Sequence, residues 1–178
     1  MACPWRRLDQ EEPFVGRTAE VGDELGSRIL AARLARDAMH LCFLQERRYA
    51  PYGKWLGSAF GTLVAGTTVS EHLLTALDGR DFESREVALV EVATELARRH
   101  NMLGLTAAVD ESVRLFHERP YRVLASNRFV DACLAHVHDE WLRALPLIGG
   151  IDQWVDSTDV LSEVRVLPGG RAAYDAWS

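Results

Sequence analysis

Residues 19–48, AEVGDELGSRILAARLARDAMHLCFLQERR, carry apolar side chains at a regular spacing that no proline interrupts. The apolar residues recur every three to five positions: Val21, Leu25, Ile29, Leu34, Ala38, Leu41 and Leu44. This spacing places apolar side chains on one face of an α-helix. We therefore predict one long helix over residues 19–48 as the first element of a helical core.

Proline and glycine divide the sequence that follows into further helical segments. Pro51 and Gly53 end the first helix, and Pro120 and Pro146 end later ones. Apolar periodicity between these breaks predicts five more helices, over residues 54–69, 70–77, 84–100, 105–118 and 127–144. The connections are short, which favours antiparallel neighbours, so the predicted fold class is all-α: a single helical bundle of about six mainly antiparallel helices. The longest strand-like alternation is residues 121–124.

The two ends of the chain lack the apolar periodicity of its centre. Residues 1–18 contain Pro4, Pro13 and Gly16 among mixed charges and show no periodicity, so we predict an arm or linker there. Residues 19–164 are predicted to form the bundle domain, and residues 165–178, which include Pro168, a C-terminal tail. A chain of 178 residues, 48% of them hydrophobic, can bury one substantial core.

Composition and charge exclude several classes of protein. With 26 acidic and 20 basic residues the net charge is -6, which argues against nucleic acid as a partner. No window approaches the roughly 20 apolar residues of a membrane span, and no signal peptide is recognisable, so we expect a cytoplasmic protein without a membrane partner. The three cysteines show no Cys-x-x-Cys spacing, and His136 and His138 lie on diverging sides of a helix. We therefore predict no metal site and no cofactor.

The segment RRYAPYGKW, residues 47–55, holds the single lysine among 20 basic residues. A lysine ammonium is a compact point charge suited to phosphate or carboxylate. We predict that a polar or anionic small molecule binds in this segment, at Arg47, Tyr49, Tyr52, Lys54 and Trp55. The alternative is that the aromatic residues belong to the core and that the lysine stem only covers an aromatic ring.

A polar stripe on the first predicted helix points toward the same segment. Arg33, Arg36, Asp37 and His40 follow each other at helical spacing. In one interpretation Arg33 and Asp37 pair on the solvated back of the helix. In the other, the stripe lines a cleft closed by the tyrosines and Lys54, where Asp37, His40, Tyr52 and Lys54 are candidates for acid–base catalysis.

Asn101 is a further candidate for ligand binding. It ends the helix predicted over residues 84–100, where His100 and Asn101 also suit helix capping. Capping and a position at the edge of a pocket are compatible. Motifs of other enzyme classes, such as Gly-x-x-x-x-Gly-Lys-Ser/Thr or Gly-x-Ser-x-Gly, do not occur in the sequence.

Residues 33–60, RLARDAMHLCFLQERRYAPYGKWLGSAF, resemble the C-terminal helical domain of a bacterial family of nucleotidyltransferase-like proteins, a domain of unknown function. Residues 100–105, 118–124 and 150–157 resemble later blocks of that domain in the same order, so the resemblance covers about residues 19–161. The Tyr-Ala-Pro-Tyr-Gly-Lys-Trp block is its most specific part.

The resemblance implies a role in binding. Long members of the family are similar to proteins that have a nucleotidyltransferase domain before the bundle. That domain carries Gly-Ser at a helix start and, about ten residues later, an Asp-x-Asp pair that holds magnesium. Here Asp37 follows Gly26-Ser27, but Ala38-Met39 supplies no second aspartate. Since two-metal phosphoryl transfer needs paired carboxylates, we do not expect nucleotidyl transfer by this chain alone.

Two functions follow from this departure. The bundle of the related proteins helps to form the acceptor-substrate pocket, which the resemblance assigns here to Arg33, Asp37, Tyr49, Tyr52, Lys54 and Trp55. The first function is a stand-alone module that binds a small molecule or a separate nucleotidyltransferase-like protein. The alternative is a repurposed small-molecule enzyme that uses the acid–base candidates.

Overall fold

Helices dominate the chain, which confirms the predicted all-α class. The computed structural model describes residues 1–150, 153, 155, 157–163, 165 and 167–176. Within these residues two short strands, β1 (Arg114–Leu115) and β2 (Arg122–Val123), form one antiparallel pair. The helices are α1 (Ala2–Glu11), α2 (Phe14–Glu20), α3 (Glu24–Gln45), α4 (Gly53–Phe60), α5 (Val64–Asp78), α6 (Phe82–Met102), α7 (Asn127–Ala135), α8 (Glu140–Ala144), α9 (Thr158–Ser162) and α10 (Leu167–Asp175).

Helix α3 forms the centre of the fold and contacts α1, α2, α4, α5 and α6. Its side chains Leu34, Ala38 and Leu41 are buried, as the periodicity predicts. The helix begins later than predicted, because Gly22 adopts a left-handed φ of 73° and the Asp23 carboxylate accepts a hydrogen bond from the Gly26 amide at 2.8 Å. The predicted helix over residues 19–48 is thus correct for residues 24–45.

The end of α3 is a Schellman turn. The Arg48 amide donates to the Phe43 carbonyl at 2.8 Å, and the Arg47 amide donates to the Leu44 carbonyl at 3.0 Å. Arg47 occupies the left-handed position of this turn, with a φ of 55°, where glycine is most common. The turn redirects the chain toward α4.

Residues 1–18 do not form the predicted arm. They form α1 and most of α2, and Trp5, Leu8 and Val15 are buried in the core. Pro4 lies in the first turn of α1, where an amide hydrogen has no intrahelical partner, so the proline does not prevent the helix. The prediction was wrong because it took each proline as a break.

Trp5 joins three helices at one point. Its indole N–H donates to His100 Nδ1 on α6 at 3.1 Å, and its ring stacks on Phe129 of α7 with a centroid distance of 4.4 Å. The other nitrogen of His100, Nε2, lies 3.0 Å from the hydroxyl of Thr106, which itself donates to the Ala107 carbonyl. The His100 ring is therefore the neutral tautomer with its proton on Nε2.

The helices predicted over residues 54–69 and 70–77 have different boundaries. Helix α4 ends at Phe60, and α5 runs through Ser70, where the predicted boundary between the two helices lies. The Glu46 carboxylate caps α5, accepting hydrogen bonds from the amides of Val64 at 3.0 Å and Ala65 at 2.7 Å. A carboxylate is stabilised at a helix N-terminus, and here it comes from 18 residues earlier in the sequence.

The helix predicted over residues 105–118 is wrong. This part of the chain is a loop that leads into β1, and β1 pairs with β2 so that Arg114 lies opposite Val123. The side-chain amide of Asn101 holds the loop, accepting from the Val109 amide at 2.9 Å and donating to the Val109 carbonyl at 2.8 Å. The strand-like alternation of residues 121–124 is confirmed at β2.

The last predicted helix and the tail also differ from the structure. Residues 127–144 form α7 and α8 instead of one helix, because the Asp139 carboxylate caps a new start by accepting from the Leu142 amide at 2.9 Å. The predicted tail, residues 165–178, includes α10. The block over residues 150–157 lies partly outside the described residues, at positions 151, 152, 154 and 156.

Replacing Trp5 with phenylalanine tests the contact between α1, α6 and α7. The phenyl ring keeps the stacking on Phe129 but leaves His100 Nδ1 buried without its donor and the site underfilled. We expect Trp5→Phe to lower the free energy of unfolding by about 2 to 4 kcal/mol in urea titrations. Trp55→Phe is the matched control, since Trp55 is 52% exposed. Equal losses in the two variants would contradict the assigned role of Trp5.

Candidate functional site

A cleft of about 880 Å³ lies between the start of α1, the C-terminal half of α3, the segment from α7 to residue 150, and residue 153. Residues 105 and 106, in the loop after α6, complete its wall. We call it the α3–α7 cleft. Its volume falls in the range of roughly 300 to 1,000 Å³ that is typical of small-molecule sites.

Most of the wall is apolar. Helix α3 contributes Phe43 and Leu44, and the opposite wall contributes Leu134, Val137 and Leu142. Leu44 is 43% exposed and Leu142 is 50% exposed, so both present carbon to solvent inside the cleft. Such a wall suits a ligand with an apolar body.

Two thiols are part of the same wall. Cys3 on α1 and Cys133 on α7 both line the α3–α7 cleft and are free. Burial raises the pKa of the Cys133 thiol, so it stays protonated at neutral pH. A protonated cysteine behaves as a small apolar side chain. Cys133 therefore adds to the apolar character of the wall.

Polar side chains occupy defined positions around this wall. The Arg48 guanidinium donates to the carbonyl and hydroxyl oxygens of Thr62 at 3.3 and 3.0 Å. His136 Nδ1 lies 3.1 Å from the Ala132 carbonyl, which can only accept a hydrogen bond. The proton of neutral His136 is therefore on Nδ1, and Nε2 remains an acceptor.

Three of the residues predicted to form a site line the α3–α7 cleft. His40 lies on α3, Arg47 lies in the turn that ends α3, and Tyr49 lies at the rim, where it is 89% exposed. Their role in ligand binding stays a prediction.

Arg33 and Asp37 contact α1 and do not line the α3–α7 cleft. Arg33 Nε donates to the Glu11 carboxylate at 2.9 Å, and a second bond joins Arg33 Nη2 to the same carboxylate. Asp37 is buried, with Oδ2 3.5 Å from Arg7 Nε. Burial raises the pKa of Asp37, and the positive charge of Arg7 opposes this. These pairs join α1 to α3, and the acid–base role of Asp37 stays a prediction.

Tyr52, Lys54 and Trp55 lie at the start of α4 with their side chains exposed, and they do not line the α3–α7 cleft. The Lys54 ammonium lies 5.1 Å from the centre of the Trp55 ring. This is a cation–π arrangement. It agrees with the alternative interpretation of the sequence, in which the lysine only covers an aromatic ring. A binding role for the three residues stays a prediction.

Asn101 positions the wall and does not line it. Besides its bonds to Val109, its amide donates to the Glu111 carboxylate at 2.7 Å, so both amide hydrogens are used within the chain. The loop that it holds brings Leu105 and Thr106 to the α3–α7 cleft. Direct contact between Asn101 and a ligand stays a prediction.

The contribution of α1 to the site was missed in the sequence. Met1 and the first three residues of α1 line the α3–α7 cleft, and Trp5 fixes them there. The spacing of Trp5 and Leu8, three residues apart, is compatible with one helical face and was a usable signal. His136 was considered only as a metal ligand, although it lines the cleft.

A second cavity, of about 50 Å³, lies between α1, α2, α6 and β2. Leu8, Val15, Val92 and Tyr121 are among its lining residues. A space of this size holds a few water molecules at most and is too small for a ligand of ordinary size. The α3–α7 cleft is therefore the better candidate for a ligand.

The described part of the chain lacks two other features of function. Across those residues, no group of three or more His, Cys, Asp or Glu side chains could hold a metal ion. None of the helices described is long and apolar enough to cross a membrane.

The first 56 of the 178 residues match a protein family described as "Domain of unknown function (DUF4037)". The match spans α1 to α3 and the start of α4. Two of these elements, α1 and α3, supply walls of the α3–α7 cleft. The resemblance to a family of unknown function is confirmed for this part of the chain. Neither a curated protein nor a solved structure matches the sequence.

The protonation of His100 predicts how stability depends on pH. Burial lowers the pKa of His100, so the folded state binds fewer protons than the unfolded state once the pH falls below about 6.5. The contribution of His100 to stability is therefore present at neutral pH and is lost as the pH falls through the folded pKa.

We expect the melting temperature of the wild type to fall more between about pH 7.5 and pH 5 than that of His100→Gln, which keeps an acceptor but cannot gain a proton. The remaining five histidines are the same in both proteins. Equal pH slopes would show that His100 is not held neutral by the fold.

Proposed function

We propose that this chain is a helical module that binds a small molecule with an apolar body in the α3–α7 cleft. We further propose that it is related to the substrate-binding half of nucleotidyltransferase-like proteins. The observation that carries the first part is the cleft itself, with a volume of about 880 Å³ and a mostly apolar wall.

Exposed apolar side chains support this function. Leu44 on α3, Leu105 after α6 and Leu142 on α8 come from distant parts of the sequence, yet all three are exposed and line the same cleft. Exposed apolar surface that is gathered in one concave place is typical of binding sites. A ligand that covers these side chains gains roughly 25 cal/mol for each Å² of apolar surface removed from water.

The proposed relation to nucleotidyltransferases rests on the sequence resemblance alone, since the family that matches residues 1–56 is described only as a domain of unknown function. The missing second aspartate after Asp37 argues for binding without nucleotidyl transfer. The structure adds that Asp37 is buried beside Arg7, which makes it a poor ligand for an ion in the cleft. Binding is therefore the better supported function than catalysis by Asp37.

The neutral fluorescent probe N-phenyl-1-naphthylamine tests the proposed function. We expect saturable enhancement of its fluorescence by the wild type, and a three- to tenfold weaker affinity in Leu44→Gln, because an apolar contact of roughly 1 kcal/mol is lost. Leu74→Gln is the matched control, since Leu74 is exposed on α5 and does not line the α3–α7 cleft. Absence of saturable binding, or equal effects of the two variants, would refute the proposal.

Variants of Lys54 test whether the ligand binds in the α3–α7 cleft or at Lys54, in the segment 47–55 that the sequence predicted as a binding site. Lys54→Arg and Lys54→Met should bind the neutral probe as the wild type does, because Lys54 is outside the cleft. Lys54→Arg should also keep the melting temperature, since an arginine can cover the Trp55 ring equally well. A clear loss of probe binding in both variants would instead place the ligand at the start of α4.

A further inference from the structure

We propose that the ligand of the α3–α7 cleft carries an anionic group, such as a carboxylate, sulfonate or phosphate, and that this group binds the guanidinium of Arg47. The apolar body of the ligand then lies between Phe43 and Leu44 on α3 and Leu134 on α7. This inference rests on the proposed function and specifies the class of ligand.

The described residues that line the α3–α7 cleft differ in charge from the chain as a whole. The chain has 26 acidic and 20 basic residues. Among the described residues that line the α3–α7 cleft, by contrast, there are two arginines and two histidines and neither aspartate nor glutamate. A concave, largely apolar site with this side-chain set attracts an anion and disfavours a cation.

Arg47 is the residue best placed to bind that anion. Arg48, its neighbour, already donates to Thr62, and Arg99 on α6 is paired with Glu46 at 2.6 Å. The side chain of Arg47 makes no hydrogen bond or ion pair with any residue that the structure describes. Its donors are thus available to bind two oxygens of an anionic group at once.

The backbone of Arg47 gives an independent reason. Its φ of 55° is left-handed, which costs an L-residue other than glycine roughly 1 kcal/mol. Glycine would form the same Schellman turn without this cost. The fold therefore does not require an arginine here, whereas a ligand contact at the mouth of the cleft does.

Two probes with one ring skeleton isolate the anionic group. 8-Anilinonaphthalene-1-sulfonate carries a sulfonate that N-phenyl-1-naphthylamine lacks, and both report binding by fluorescence. We expect Arg47→Gly to weaken the affinity for the sulfonate probe about three- to tenfold and to leave the affinity for the neutral probe unchanged. Arg47→Gly should keep or raise the melting temperature, so that a loss of affinity is not a loss of fold.

Arg80→Met is the control, since Arg80 is exposed and lies outside the α3–α7 cleft. It should bind both probes as the wild type does. If Arg47→Gly keeps full affinity for the sulfonate probe while the neutral probe still depends on Leu44, the inference is wrong and the proposed function stands. If neither probe depends on Leu44, both are wrong.

Discussion

The hydrogen bond from the Trp5 indole to His100 is the contact on which the rest of the structure depends. It fixes α1 against α6, while the same indole stacks on Phe129 of α7. On its other side the His100 ring bonds Thr106, which belongs to the wall of the α3–α7 cleft. A single neutral imidazole therefore sets the positions of two walls, since a charged ring would have no acceptor for its second proton at Trp5.

Helix α3 then turns this scaffold into a site, because it has two different faces. Leu34, Ala38 and Leu41 face the core, whereas His40 and Leu44 line the α3–α7 cleft. The helix ends in a left-handed arginine at the mouth of the cleft. Apart from Phe43, which is buried and also lines the cleft, core packing and ligand contact thus lie on separate faces of one element, and a change at Leu44 can alter binding with little effect on stability.

The sequence predicted what local periodicity determines. The all-α class, most of α3 and the choice of His40 came from apolar and polar spacing along helices, whereas Arg47 and Tyr49 were chosen because they flank the single lysine. The start of α5 did not, because the carboxylate of Glu46 that caps it comes from another helix. The loop over residues 105–113 was predicted as a helix for a similar reason, since the Asn101 amide that holds it belongs to the preceding helix. Long-range side-chain bonds of this kind leave no periodic signal.

The most direct test of this account is where the ligand lies. Nuclear Overhauser contacts between bound 8-anilinonaphthalene-1-sulfonate and the methyl groups of the protein measure this without any substitution. The account predicts contacts from the ring protons to the methyl groups of Leu44 and Leu134 on the two walls of the α3–α7 cleft. Contacts to Val90 and Val92, which line the small cavity beside α6, without contacts to Leu44 and Leu134, would contradict it.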